Sequence, residues 1–166
     1  MFHKSNTVQH DSETLAEGQQ VFTACAFITH EIDGVTKVFL AKRADSKKFL
    51  PGVWELPGGH IDYGEDLKIA VAREVMEEFG MCVRIGDLLD VFTYINEVKK
   101  AHAIEIIYFA QFADPLENIR PKPEDHSAYG WFALEELSMT YAGSKDETDP
   151  EMVAIRKGFA QLKAEM

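Results

Sequence analysis

The chain is poor in cysteine, with only Cys25 and Cys82 among 166 residues. Two thiols give neither a disulfide framework nor a zinc-ligand spacing. Both lie in apolar segments, which predicts buried free thiols and a reducing, cytoplasmic setting. Positive charge is also scarce: 17 Lys and Arg stand against 28 Asp and Glu, for a formal net charge of −11. That balance argues against duplex nucleic acid or an anionic membrane surface as partner, since both require a broad basic face. It leaves room for a nucleotide held through bound cations and a few local basic residues. No apolar run reaches membrane-spanning length, and no signal-peptide pattern opens the chain. Internal repeats and low-complexity segments are absent. What is present is an ordinary globular composition, long enough for one domain with a sizeable core.

Residues 1–20 are polar and read as a loosely held arm, partly helical from Asp11 to Gln20; residues 21–166 read as the folded domain. Val21–Thr29 is a β-rich apolar run, Asp33-Gly34 a hairpin turn and Val35–Lys42 a returning strand. Arg43, with Lys47 and Lys48 behind it, is a local basic cluster suited to phosphates. Pro51-Gly52 marks a turn before a short strand, Val53–Leu56, in which Trp54 either anchors a loop or stacks on a base. Beyond residue 81 the pattern gives strands at Cys82–Ile95, broken at Gly86-Asp87, at His102–Phe112 and at Tyr129–Ala133. Proline-bearing loop 114–125 separates the last two, and a closing helix follows Pro150, with Met152, Ile155, Phe159 and Leu162 as its stripe. Strands with one helix in the middle and one at the end make an α+β chain.

The organising stretch is 58–81. Gly58-Gly59 opens a loop, Asp66 is a competent N-cap, and Gly80 supplies the helix stop. Leu67, Ala70, Val71, Val75 and Phe79 form the buried stripe. On another face, spacings of three and four bring Glu74, Glu77 and Glu78 together near the C-terminal end, where negative charge opposes the helix dipole. Only Glu77 has a basic residue, Arg73, within reach along the helix. A hard divalent cation would resolve that crowding, because such ions seek carboxylate oxygens.

Gly59, five residues, Glu65, seven residues, then Arg73-Glu74-Val75-Met76-Glu77-Glu78-Phe79-Gly80-Met81 match the Nudix box at every defining position. A chance match is on the order of 10⁻⁷ from ordinary residue frequencies. The chain therefore resembles a Nudix hydrolase, over the box and more loosely from about Thr23 to Leu137. The resemblance implies an αβα sandwich, a mixed sheet between the box helix and the C-terminal helix, and cleavage of a nucleoside diphosphate linked to some moiety X. It implies Mg²⁺, with Mn²⁺ as a substitute, held by Glu74 and Glu78, with Glu77 as ligand or base and the Gly58 carbonyl as a further ligand. Arg73 and Glu65 would keep loop and helix in register, and Arg43 and Trp54 would meet the substrate. The general base stays open among Glu77 and the downstream acids Glu97, Glu105, Glu124 and Asp125, of which Glu124 is the named candidate. His60 and His102 read as peripheral.

Substrate is a small nucleotide, and Pro51–Gly59 looks most like the MutT-type nucleoside triphosphatases, which release pyrophosphate and a monophosphate. The proline usual in ADP-ribose hydrolases past the box is missing between Met81 and Asp114. Tyr94 lies close to, but short of, the position of the tyrosine in dinucleoside polyphosphate hydrolases. ADP-ribose, nucleotide sugars and dinucleoside polyphosphates stay as alternative substrates. A silent nucleotide-binding module and a prenyl-diphosphate isomerase are the rivals from other classes. Homodimeric assembly is left open.

Overall fold

The computed structural model describes residues 11–166; the first half of the expected arm lies outside them. Asp11 to Gln19 forms bends and a turn, and the helix expected over Asp11–Gln20 is not formed. Local chemistry explains this, since the Asp11 carboxylate accepts from the Glu13 and Thr14 amides and the Thr14 hydroxyl. Such side-chain-to-backbone bonds compete with helix formation.

Seven strands make one mixed sheet: β1 (Gln20–Ile32), β2 (Val35–Arg43), β3 (Trp54–Glu55), β4 (Gly58–His60), β5 (Val83–Asn96), β6 (Ala101–Phe112) and β7 (His126–Phe132). Its helices are α1 (Leu67–Phe79) and α2 (Pro150–Ala164), joined by short 3-10 segments at Leu116–Asn118 and Leu134–Thr140. β1 is the axis. Along one edge it runs parallel to β6, from Gln20 beside His102 to Ile28 beside Ala110. Along its other edge, Thr23–Cys25 pairs with β4 while Thr29–Ile32 pairs with β2. The cleft described below is lined from β1 by Val21, Thr23 and Cys25, in the half of the strand that pairs with β4 and β6.

Alternation along β1 divides the core. Ala24, Ala26 and Ile28 face α1 with Phe39, Val71, Val75 and Phe79. Cys25 and Phe27 face α2 with Leu40, Ile107, Met152, Ile155 and Phe159. Edge-to-face rings tie each layer, Phe39 on Phe79 at 5.1 Å and Phe27 on Phe159 at 5.5 Å between centroids. Burying each such phenyl ring contributes about 1.5–3 kcal/mol. Both helices therefore flank the sheet, as the αβα expectation requires.

Asp66 caps α1 by accepting from the Lys68 and Ile69 amides, and Gly80 ends it in the left-handed region at φ 66°. Two expected core positions differ. Leu67, the first residue of α1, is 36% exposed, and the buried stripe begins at Ala70. Cys82 is exposed while Cys25 is buried. Its segment is apolar but serves as the connection out of α1, held through the Cys82 amide on Asp114 at 2.7 Å, with the thiol outside the packed layer.

Candidate active site

A cleft of about 200 Å³ lies between the glycine loop with α1 and the ends of β2 and β7, and adjoins a second hollow of about 430 Å³ toward α2. One wall is α1 and the glycine loop. Gly58, at φ 152°, passes so near β1 that a Cβ would lie 2.3 Å from the Ala24 carbonyl oxygen. At Gly59 a Cβ would sit 2.5 Å from a carboxylate oxygen of Glu74. Only glycine lets the backbone lie this close to the helix carboxylates.

Arg73 organises this wall. Its Nε and Nη2 donate to the two Glu65 oxygens at 2.8 and 3.0 Å, Nη2 donates to the His60 carbonyl at 3.0 Å, and Nη1 donates to Glu74 at 3.0 Å. Nη1 also reaches Glu77 at 3.2 Å. Box loop and helix are thus locked by a planar fork that a lysine could not supply. The expected pairing with Glu65 is present, and Glu74 joins Glu77 as a partner of Arg73.

The three crowded glutamates do not share one environment. Glu74 and Glu78 line the cleft. Glu77, with its side chain 51% exposed, lies on the solvent flank of α1 as a partner of Arg73. Glu78 is 8% exposed and accepts the Gly58 N–H at 3.0 Å. Burial, then the negative charges of Glu55 and Glu74, push the Glu78 carboxyl well above the usual carboxylate range. Burial likewise raises Glu74, against the opposing pull of Arg73. Carboxyls held in this way are stabilised by any cation that enters.

The facing wall is assembled from distant segments. Arg43, at the end of β2, donates to the Phe49 carbonyl at 2.8 Å, to both Glu55 oxygens at 3.3 Å and to Ser12 Oγ at 3.0 Å. Lys47 pairs with Asp125 at 2.9 Å. Phe49 and Tyr94 lie with ring planes 10° apart, centroids at 6.2 Å. His126, the first residue of β7, is buried with Nε2 2.9 Å from Glu55 and Nδ1 3.6 Å from Glu78. Burial works to raise the Glu55 carboxyl, but the His126 hydrogen bond and the Arg43 charge outweigh it and hold it below its ordinary value. His126 Nδ1 is shielded and has no hydrogen-bond partner among the described residues. Glu55, Glu78 and His126 place one ligand atom each within 4.8 Å of one another, and the hard carboxylate oxygens of Glu74 and Glu78 beside them form a donor set that suits a divalent ion.

Several expected residues fall elsewhere. Trp54 turns away from the cleft and packs edge-on against Phe132 at 5.1 Å, as β3 alternation sends Glu55 inward instead. Glu124 is not among the cleft-lining residues, whereas its neighbour Asp125 is. Glu105 lines both hollows, His60 lines the cleft rim, and Glu97 lines only the second hollow. Sequence reasoning missed Glu55 and His126. A glutamate inside the apolar approach to the box was a signal for the first; nothing local marked the second, 71 residues away. It also missed Ser12 and Asp11 at the cleft, held there by Asn96 and by buried Lys99, which donates to the Asp11 and Thr14 carbonyls at 2.9 and 3.0 Å.

A family model described as the NUDIX domain matches residues 21–154. The m7GpppN-mRNA hydrolase NUDT17 of Danio rerio is 30% identical over 141 residues, 76% of this chain and 46% of that protein. An ADP-ribose pyrophosphatase of Methanocaldococcus jannaschii is 32% identical over 81 residues, 46% of this chain and 47% of the relative. The matched regions thus span about half the length of those two proteins. Nucleoside triphosphatase NudI of Salmonella schwarzengrund is 30% identical over 109 residues, 60% of this chain and 75% of that protein. Among solved structures, a MutT Nudix hydrolase from Burkholderia pseudomallei superposes with a TM-score of 0.65 at 30% identity, covering 84% of this chain and 98% of that one. A C. elegans Ap4A hydrolase shares the fold, with a TM-score of 0.70 at 24% identity, over 87% of this chain and 98% of that one.

Proposed function

The chain belongs to the Nudix hydrolase family, and from that premise we propose that it is a Mg²⁺-dependent pyrophosphohydrolase of nucleoside triphosphates, releasing a monophosphate and pyrophosphate. The observation that carries this reading is the pairing of two walls across one cleft. Half-buried Glu74 and buried Glu78 stand on one side, and Arg43, Lys47 and the Phe49–Tyr94 aromatic surface on the other.

Glu74 and Glu78 would hold the ion, with the Gly58 carbonyl beside them and Glu77 contributing from the flank. When bound, Mg²⁺ supplies neutralisation of phosphate oxygens and a more acidic coordinated water. The chain's own residues do the positioning. Gly58 N–H keeps Glu78 aimed, Arg73 and Glu65 hold the loop against the helix, and Glu55 orients His126 toward Glu78. Of the acids of the 114–125 loop, Asp125 would receive the proton, a reading supported by its position in the cleft beside Lys47, which its neighbour Glu124 does not share. Arg43 and Lys47 are the cations of this wall, for which phosphate oxygens would compete with Glu55, Ser12 and Asp125, and Phe49 and Tyr94 are the surface offered to a base. The MutT-like approach to the box and the NudI similarity support a triphosphate over the alternatives.

A substrate panel tests this. Nucleoside triphosphates, ADP-ribose, nucleotide sugars, dinucleoside polyphosphates and capped RNA are each supplied with Mg²⁺ or Mn²⁺, and pyrophosphate and orthophosphate are detected separately. Pyrophosphate from triphosphates is the expected product. Turnover confined to ADP-ribose, sugars or caps would remove the triphosphate reading and keep the hydrolase.

A further inference from the structure

In the same cleft as the box carboxylates, but on the side of α2, three side chains converge for which the proposed hydrolysis has no use, two of them buried and the third, Glu151, half-buried. Cys25 of β1, Glu105 of β6 and Glu151 in the first turn of α2 each place one ligand atom within 4.8 Å of the other two. The fold explains the meeting. Alternation sets Thr23 and Cys25 on the α2-facing side of β1, and the parallel register sets Glu105 beside Thr23. The N-terminal turn of α2 then closes over both strands.

The cluster has an unbalanced inventory. Lys145 Nζ donates to Glu151 Oε1 at 2.6 Å, and the Leu56 amide donates to the same oxygen at 3.2 Å. Glu105 is 7% exposed, and its shielded Oε2 has no hydrogen-bond partner among the described residues; neither has the hydroxyl of Thr23 beside it. Leaving a buried acceptor unpaired costs about 1–3 kcal/mol, more when it is charged. With the thiol and both carboxyls ionised, three negative charges face the one positive charge of Lys145. A divalent cation closes that balance to zero.

Ligand chemistry selects the ion. A thiolate is a soft donor that Mg²⁺ and Ca²⁺ do not favour, while one sulfur and two carboxylate oxygens fall within the range taken by Zn²⁺ and Co²⁺. We propose that Cys25, Glu105 and Glu151 form a second metal site, for a Zn²⁺-class cation, which ties the start of α2 to the two central strands. The site is independent of the hydrolytic reading, because it uses none of the box residues.

Cobalt reports on it directly. The full-length protein is stripped of metal and titrated with Co²⁺, and the thiolate-to-cobalt charge-transfer band is followed in the near ultraviolet. With only two cysteines in the chain, the assignment is unambiguous. The band is expected in the parent, in Cys82→Ser and in the Glu74→Gln/Glu78→Gln double variant, and absent in Cys25→Ser. No band in the parent, a band that survives Cys25→Ser, or one that Cys82→Ser abolishes would overturn the site. Circular dichroism of each variant separates loss of the site from loss of the fold. Should Cys25→Ser fail to fold, Glu105→Gln, which keeps the shape of the side chain, decides the matter. Zn²⁺ should raise the melting temperature of the parent by more than that of Glu105→Gln, which keeps only the box carboxylates as a site for the ion; equal shifts in both would contradict the proposal.

Discussion

On one wall of the cleft, Glu65, Arg73, Glu74 and Glu78 come from a single stretch of chain, loop and helix together. On the other, Ser12, Arg43, Phe49, Glu55, Tyr94, Asp125 and His126 come from four separated stretches of chain, brought together by the pairing of β2 with β3 and β7 and of β5 with β6. The first wall is set by local rules, helix period and a glycine loop; the second depends on strand register and exists only once the sheet has formed. A local constellation can be kept while the facing wall changes, so the chemistry and the choice of substrate are separable in this architecture.

The comparison is broken most severely at Glu78. Glu78→Gln keeps the Gly58 amide contact but removes a buried carboxylate, and kcat should fall on the order of 10³-fold, the scale of losing one preorganised electrostatic group. Initial rates with Mg²⁺ in excess check this; a loss below tenfold would dissociate the wall from the chemistry. Next comes Arg73. Arg73→Lys keeps the charge but not the fork to Glu65, Glu74 and the His60 carbonyl, and a shift near 1 Å in the carboxylates should lower kcat about 10²-fold. A variant that folds normally and turns over like the parent would deny the positioning role.

The facing wall should respond differently. Tyr94→Leu removes half of the Phe49–Tyr94 surface, and with base stacking worth about 1–3 kcal/mol KM should rise about tenfold while kcat stays within about twofold. Steady-state kinetics on a triphosphate separates the two parameters. The smallest effect lies at the rim, at Asp11. Burial works to raise its carboxyl, but the Thr14 hydroxyl and amide and the Glu13 amide outweigh it and hold it down at about 2. A carboxyl depressed on folding contributes stability that is present above its ordinary value of 3.8 and lost as pH falls toward about 2. Protection of the Glu13 and Thr14 amides from hydrogen exchange should therefore decline over that acidic window, and Asp11→Asn should abolish the dependence.

The same division decides what could be read from the chain. Asp66 and Gly80 end α1 where residue chemistry demands, Asp33-Gly34 closes the β1–β2 hairpin, and Pro150 begins α2, each by interactions within a few residues. Spacing alone grouped Glu74, Glu77 and Glu78, yet only packing separates the two that line the cleft from Glu77 on its flank. Trp54 and Glu55 show the limit well. Which of two adjacent side chains enters the cleft is settled by the pairing of β3 with β2, through Lys42 opposite Trp54 and Ala41 opposite Glu55, a register no local pattern encodes. His126 meets Glu55 and Phe79 only because β7 pairs with the last residue of β2 across a register shift. Cys82 misled for a simpler reason: an apolar neighbourhood in sequence became a connection at the surface.

The direct test of the two-wall account is the paired kinetics of Glu78→Gln and Tyr94→Leu, kcat and KM measured on one nucleoside triphosphate under one Mg²⁺ concentration. The account predicts a crossed pattern, with kcat collapsing in the first variant and KM rising in the second. Both variants moving the same parameter to the same degree would contradict it.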